Sequence, residues 1–314
     1  MRALLVVNPK ATTTTERSRD VLVRALRSEV SLTVEYTRRR GHAATLARAA
    51  AEDGVDVVAI LGGDGSVNEV VNGLLTSKPA LAVRDAPTAH VLPAVAVVPG
   101  GSTNVFARAL RLPKDWAEGT SVILDGLRDE RYRVIGLGRA DERYFTFTAG
   151  LGLDAAVVRR VEQARLRGRT SSPGLYLNAF LGQLLAGDRR NPPLAVETPD
   201  EVAETDLSMV VVQNTAPWTY IGDRAVDPNP GASFESGLDV FAVRRLTVPA
   251  TTRTVTQLLT TGTANGPQIL RLHDRAEFTV RSARPQAFQV DGDYLGEREK
   301  VHFLSVPDAL RVIC

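Results

Sequence analysis

The chain predicts a two-part α/β protein: an N-terminal region on a parallel, three-layer sheet, followed by a second, mainly antiparallel region. Three observations carry the prediction. At 314 residues the chain is long enough for two domains of roughly 150 residues, each with a sizeable core. From Leu4 to Leu110 a short apolar run, a turn and a stretch of helical period recur, the pattern of parallel βαβ units. After about Leu127 the period changes to two, as in Tyr132-Arg133-Val134 and Tyr144-Phe145-Thr146-Phe147.

Each element follows from its own residues. Leu4–Val7 is an apolar, β-branched strand, and Glu16–Leu26 is a helix behind the capping-box pattern Thr13-x-x-Glu16. Leu32–Tyr36 is a strand, His42–Glu52 an alanine-rich helix, Val55–Leu61 a strand and Val67–Leu75 a helix. Ala94–Val98 and Val105–Leu110 complete the series as strand and helix. In the second region strands are expected at Leu207–Gln213, Leu238–Val243, Glu277–Val280, Ala287–Val290 and Val301–Leu304. One helical insertion interrupts them: Leu177, Phe180, Leu181, Leu184 and Leu185 share a helix face, preceded by the arginine-rich stretch from Arg159 to Arg169. That stretch reads either as a solvated face or as a contact with an anionic membrane surface.

Composition narrows the class. The chain is 44% hydrophobic and 24% charged, an ordinary globular balance. Thirty-eight Lys plus Arg against 36 Asp plus Glu leaves a net charge of +2, which excludes a general nucleic-acid binder. The sole cysteine, Cys314, excludes an intrachain disulfide and a cysteine-based zinc site, and a reducing cytoplasmic setting is expected. No apolar run approaches the ~18 residues of a membrane span or forms a signal-peptide core, so a chain that neither spans a membrane nor is exported is expected.

The chemistry concentrates where strands end. Gly62-Gly63-Asp64-Gly65-Ser66-Val67-Asn68-Glu69 follows a strand and opens a helix, so glycine backbone and a helix start together form a phosphate cradle. No Walker loop or complete dinucleotide fingerprint occurs. Asp64 among phosphates calls for a cation, and Mg²⁺ carried by a nucleotide is the economical one. The bland alternative is a capping box, Ser66-x-x-Glu69. The next βα unit repeats the device with Pro99-Gly100-Gly101-Ser102-Thr103-Asn104, and Asn104 takes the place of the glycine that a hydrolase elbow requires. Asp291-Gly292-Asp293 reads as a type I′ hairpin turn that projects carboxylates; an EF-hand reading fails at Leu295. His42, His90, His273 and His302 show no metal-ligand spacing, although His42 stands near Thr37 at a helix start.

Four motifs together resemble the diacylglycerol kinase catalytic-domain superfamily, especially its bacterial soluble lipid kinases and sphingosine-kinase relatives. They are Gly62-Gly63-Asp64-Gly65-Ser66-x-Asn68-Glu69-x-x-Asn72-Gly73, Pro99-x-Gly101-Ser102-x-Asn104-x-Phe106-Ala107-Arg108, Gly150-x-Gly152-x-Asp154-Ala155 and Val290-Asp291-Gly292-Asp293. The resemblance implies an α/β ATP-binding domain over 1–126, a β-sandwich lipid-substrate domain over 127–305, and a tail, 306–314, returning to the first. It implies ATP contacts at Asn8, Pro9, Thr12, Thr37, Gly62, Gly63, Asp64, Gly65, Ser66, Val67, Asn68, Ser102, Thr103 and Asn104. Asp293 stands where the family has the glutamate that accepts the hydroxyl proton, with Asp291 two residues before, and both remain candidates for the base. The first loop has Thr12 where the family has a serine, and Ser236 stands where the family's cation loop has an aspartate, with Glu235 beside it as a substitute ligand.

The expected activity is that of an ATP- and Mg²⁺-dependent lipid kinase acting on diacylglycerol or a related lipid alcohol in phospholipid biosynthesis. The expected protein is cytoplasmic, meets the membrane surface peripherally and leaves its oligomeric state open, a homodimer included. NAD kinase, which shares the first glycine loop, and a regulator that keeps the cradle without phosphoryl transfer are the alternatives.

Overall fold

The computed structural model describes residues 1–10, 15–83, 87–167, 191–199, 201–244 and 247–314. Thr12, the Thr13-x-x-Glu16 capping box and the Leu177–Leu185 stripe lie outside them. The chain forms two compact units, Met1–Leu137 with Pro307–Cys314, and Gly138–Val306.

In the first unit, strands β1 (Arg2–Val7), β2 (Ser31–Tyr36), β3 (Val57–Gly62) and β4 (Ala94–Pro99) alternate with helices α1 (Glu16–Glu29), α2 (His42–Glu52) and α3 (Asp64–Leu75). The short helices α4 (Lys78–Ala82) and α5 (Val105–Ala109) and the longer α6 (Trp116–Arg128) follow. All strand pairs are parallel in the order β4-β3-β1-β2, and Val312 adds a further parallel strand beside Val95 of β4. Odd and even residues of the central strands are both buried, which explains their uninterrupted apolar runs. Leu5, Val7, Ala59, Leu61, Ala96 and Val98 pack with Leu22 and Leu26 of α1 and Ile123 and Leu127 of α6. Leu4, Val6, Val58, Ile60, Val95 and Val97 are equally buried on the opposite face. The expected three-layer arrangement is therefore present.

Helix α6 was not anticipated from sequence. It starts at Asp115, whose carboxylate accepts from Ala117 N at 2.9 Å and Glu118 N at 3.1 Å. The helix expected from Val67 starts three residues earlier, at Asp64.

The second unit is antiparallel and strand-rich, as expected. Strand β5 (Tyr132–Ala140) begins in the first unit and ends in the second, and β6 (Arg143–Phe145) and β7 (Thr148–Gly152) then lead into helix α7 (Leu153–Leu166). After β8 (Leu194–Glu197), β9 (Glu204–Leu207) and β10 (Met209–Gln213) come the hairpin β11 (Thr219–Ile221) and β12 (Arg224–Val226), then β13 (Leu238–Val243). Helix α8 (Val248–Thr261) precedes β14 (Ile269–Arg275), β15 (Glu277–Val290) and β16 (Asp293–Ile313). The last strand begins in the second unit and ends in the first. Its order with its neighbours is β14-β13-β10-β7-β15-β16. Phe303 anchors the core, stacked on Phe278 at 5.2 Å and edge-on to Phe145 at 6.3 Å.

Two expected strands take a different form. Leu207–Gln213 divides at Ser208 into β9 and β10, since Asp206 takes φ +60° and Ser208 N turns to Val243 O. Glu277–Val280 and Ala287–Val290 are one strand whose register shifts twice against β16.

Helices α2 and α3 meet at Gly73, where a Cβ would lie 2.8 Å from Ala44 Cα and nearer still to Ala44 O. Alanine normally gains about 1 kcal/mol over glycine inside a helix. Here overpacking of about 1–3 kcal/mol outweighs that gain. Gly73→Ala is expected to lower the urea midpoint at unchanged m-value, and an unchanged or higher midpoint would refute this contact.

Candidate active site

In the first unit the nucleotide-site residues expected from sequence gather at the carboxyl ends of the parallel strands. Asn8 N donates to Leu61 O and Thr37 N to Val7 O, so the loops after β1 and β2 are tied back to the sheet. Asn8 Nδ2 donates to Ser66 Oγ at 3.2 Å, linking the first loop to the first turn of α3. Gly100 N donates to Gly62 O, which brings the two glycine turns side by side. The approach needs glycine: a Cβ on Gly101 would stand 2.7 Å from Gly63 Cα and 2.9 Å from Asn104 Oδ1. Asn104 closes its own turn, accepting from Gly101 N at 2.8 Å and donating to Gly101 O at 2.7 Å. Its φ of 50° is left-handed, which asparagine tolerates better than most side chains. Ser102 and Thr103 sit in that turn, and Pro9 and Gly65 flank the first two.

The acidic residues of the cradle have tasks that the local motif does not announce. Asp64 Oδ2 accepts from Val105 N at 3.0 Å and Oδ1 from Phe106 N at 3.1 Å, so the side chain at the start of α3 meets the start of α5. Glu69 likewise accepts from Gly41 N at 2.7 Å and Ala43 N at 3.1 Å. The Ser66-x-x-Glu69 capping box is thus corrected: α3 is preceded by Gly63 without a side-chain cap, and Glu69 caps α2. Val67 is buried, leaving only its main chain for a ligand. Asn68 is buried as well, and its Oδ1 accepts from Asn72 Nδ2 at 3.2 Å. His42 Nδ1 accepts from Arg38 N at 3.2 Å within its own loop.

In the second unit Asp291 and Gly292 take φ of 47° and 81° between paired Val290 and Asp293, the positive-φ pair of a type I′ turn. The two carboxylates differ sharply. Asp291 is 5% exposed, and its oxygens accept from Thr146 N, Thr146 Oγ1, Phe147 N and Thr148 N at 2.8–3.1 Å. Asp291 N donates back to Thr148 O, so the turn is bound to the 146–148 segment in both directions. Asp293 is half-buried at the first position of β16. Glu235 lies exposed in a turn closed by Ser236 Oγ on Ser233 O at 3.1 Å. His273 is structural, bonded to the buried carboxylate of Asp239, which pushes its pKa up.

Sequence reasoning gave no task to Gln289. This buried side chain donates to Asp154 Oδ2 at 2.8 Å and accepts from Gly292 N at 2.9 Å. The Gly150-x-Gly152-x-Asp154 motif was the available signal, since a Cβ on Gly150 would collide with the Asp154 carboxylate. Burial pushes the Asp154 carboxyl up to about 6, against the opposing hydrogen bond from Gln289. Between pH about 4 and 6 the folded chain holds a proton that the unfolded chain has released. This contribution to stability is therefore largest at low pH and is lost as pH rises through the folded value. Asp154→Asn is expected to gain stability over wild type by about 2 kcal/mol more at pH ~7.5 than at pH ~4.5. Denaturant melts at both pH values measure it, and a pH-independent difference would refute the buried titration.

In the arginine-rich stretch that reads either as a solvated face or as a membrane contact, Arg159 pairs with Glu297 at 3.0 Å and lies over the Tyr294 ring. Arg160 and Arg167 are exposed. No helix among the described residues is long and apolar enough to cross a membrane.

Residues 2–137 match the family model described as the diacylglycerol kinase catalytic domain. A diacylglycerol kinase of Staphylococcus saprophyticus is 28% identical over 195 residues, 62% of this chain and 57% of that protein. One from Staphylococcus haemolyticus is 30% identical over 173 residues, 54% of this chain and 47% of its own length. The chain thus spans about half the length of the curated relatives it matches. A crystal structure described as a diacylglycerol kinase from Bacillus anthracis str. Sterne superposes with a TM-score of 0.75 at 22% identity, covering 99% of this chain and 96% of that one. The resemblance to the diacylglycerol kinase catalytic-domain superfamily is thereby borne out by the family model over residues 2–137, and the fold alone is shared over essentially the whole chain.

Proposed function

We propose that the protein is an ATP-dependent lipid kinase that phosphorylates the hydroxyl of diacylglycerol or a related lipid alcohol. The observation that carries this reading is the pair of glycine turns that touch at Gly63 and Gly101 at the ends of β3 and β4. They lie within the residues that match the family model. A backbone stripped of side chains, opening on the start of α3, suits the phosphates of a nucleotide. Asn8, Ser66 and Thr37 line the neighbouring loops and would orient it.

In this reading Asp293 accepts the proton of the lipid hydroxyl as its oxygen bonds to the γ-phosphorus. The bond from that phosphorus to the bridging oxygen breaks, and ADP leaves with the electron pair. The commitment of the Asp291 carboxylate to four donors in the 146–148 segment supports Asp293 over Asp291 as the base. Asp291 holds the turn instead. Asp64 acts through the loops, keeping the start of α5 against the glycine turn.

Magnesium accompanies ATP in the resemblance. Among the described residues no group of three or more His, Cys, Asp or Glu could hold a metal ion. Asp64 already accepts two main-chain hydrogen bonds, and no step is assigned to a protein-held metal.

A single assay with labelled ATP against a lipid panel and NAD tests the reading; label in NADP with none in lipid would overturn it. With turnover established, Asp293→Asn is expected to lower kcat by about 10²–10⁴-fold at unchanged nucleotide affinity. Loss with Asp291→Asn alone, Asp293→Asn remaining normal, would move the base to Asp291. Asp64→Ala is expected to lose both turnover and about 0.5–2 kcal/mol of stability, the magnitude of a lost helix cap. Unchanged thermal unfolding would contradict its capping task.

A further inference from the structure

Gln289 occupies an unusual position. Its buried amide has a donor end and an acceptor end, and each meets one group: Nε2 meets Asp154 at the start of α7, and Oε1 meets Gly292 N in the turn just before Asp293. Reversing the amide would set its N–H against the Gly292 N–H, donor against donor. An ionised carboxylate accepts only, so Asp154 permits one orientation of Gln289 and through it one conformation of the turn. The empty space above Gly150 admits that carboxylate.

We propose that Asp154 and Gln289 are positioning residues for the phosphoryl transfer, fixing the direction in which Asp293 leaves the hairpin. The inference rests on the reading of Asp293 as the base. It assigns the third motif, Gly150-x-Gly152-x-Asp154, to support of the fourth.

The surroundings leave Asp154 as the titrating member. Strands β7 and β10, packed against the start of α7, carry no charged residue, and on β15 the neighbours Ala287, Phe288 and Val290 are apolar. Asp291 beyond them is bound to the 146–148 segment. On β16, Tyr294 pairs with Gln289, and Arg159 of α7 is shared between the Tyr294 ring and Glu297. The raised pKa of Asp154 places its protonation near pH 6. Once protonated, it can donate to the amide oxygen and no longer imposes the orientation.

The test uses the full chain with ATP and dioctanoylglycerol. Gln289→Leu is expected to lower kcat about 10–100-fold, the scale of a small misplacement, with KM for both substrates within about twofold. Asp154→Asn, nearly isosteric, is expected to remove a limb near pH 6 from the wild-type kcat profile. The Gly292 amide resonance gives a readout independent of turnover: it should titrate near pH 6 in wild type and stay flat in Asp154→Asn. If Gln289→Leu fails to fold, the pH profile and the resonance of Asp154→Asn decide. Wild-type kcat in Gln289→Leu, a KM loss matching the kcat loss, or an unmoved pH limb in Asp154→Asn overturns the positioning role alone. Absence of lipid phosphorylation by the wild type overturns the kinase reading, and the proposal with it.

Discussion

An acidic side chain that accepts hydrogen bonds from main-chain N–H groups of another segment is the interaction on which both units depend. Irregular loops at strand ends leave donors that neither helix nor sheet can satisfy, and an unmet buried donor is costly. Asp64 meets those at the start of α5, Glu69 those at the start of α2. Asp291 meets three main-chain donors and a hydroxyl at once. In each case a segment distant in sequence is held in place by a carboxylate.

The same arrangement separates the surroundings of two aspartates two residues apart. Both are short, acidic and adjacent to Gly292, so their types are identical. What separates them is the alternation of the hairpin: Asp291 sits in the turn facing the 146–148 segment, while Asp293 is the first residue of the returning strand. A turn motif therefore carries one carboxylate bound to four donors and one on the returning strand.

The fold was readable where the pattern is local. Fully apolar β-branched runs such as Val57–Leu61 and Ala94–Val98 mark strands buried on both faces, and His42–Glu52 was legible to the residue. Helix α6 was less so because glycine and β-branched residues dilute its period, and its clearest signal, Asp115, is a single residue. Ser66-x-x-Glu69 matched a local capping pattern, yet Glu69 serves a helix 26 to 28 residues earlier. Long-range partners of that kind leave no periodic trace. The glycines of the cradle were recognisable as a site for the same reason that they were poor helix and strand formers. Gln289 was invisible because an isolated glutamine in a strand has no pattern at all.

The passage of β16 from one unit into the other has a consequence for how the chain is made. The parallel sheet places its last strand through Val312 beside Val95, yet more than two hundred residues are synthesised between the two. While the ribosome is still reading the second unit, β4 is an open apolar edge, the kind of surface that recruits strands from other chains. Completion of the parallel sheet then waits for the residues around Val312, and the nascent chain must shield that edge until they emerge.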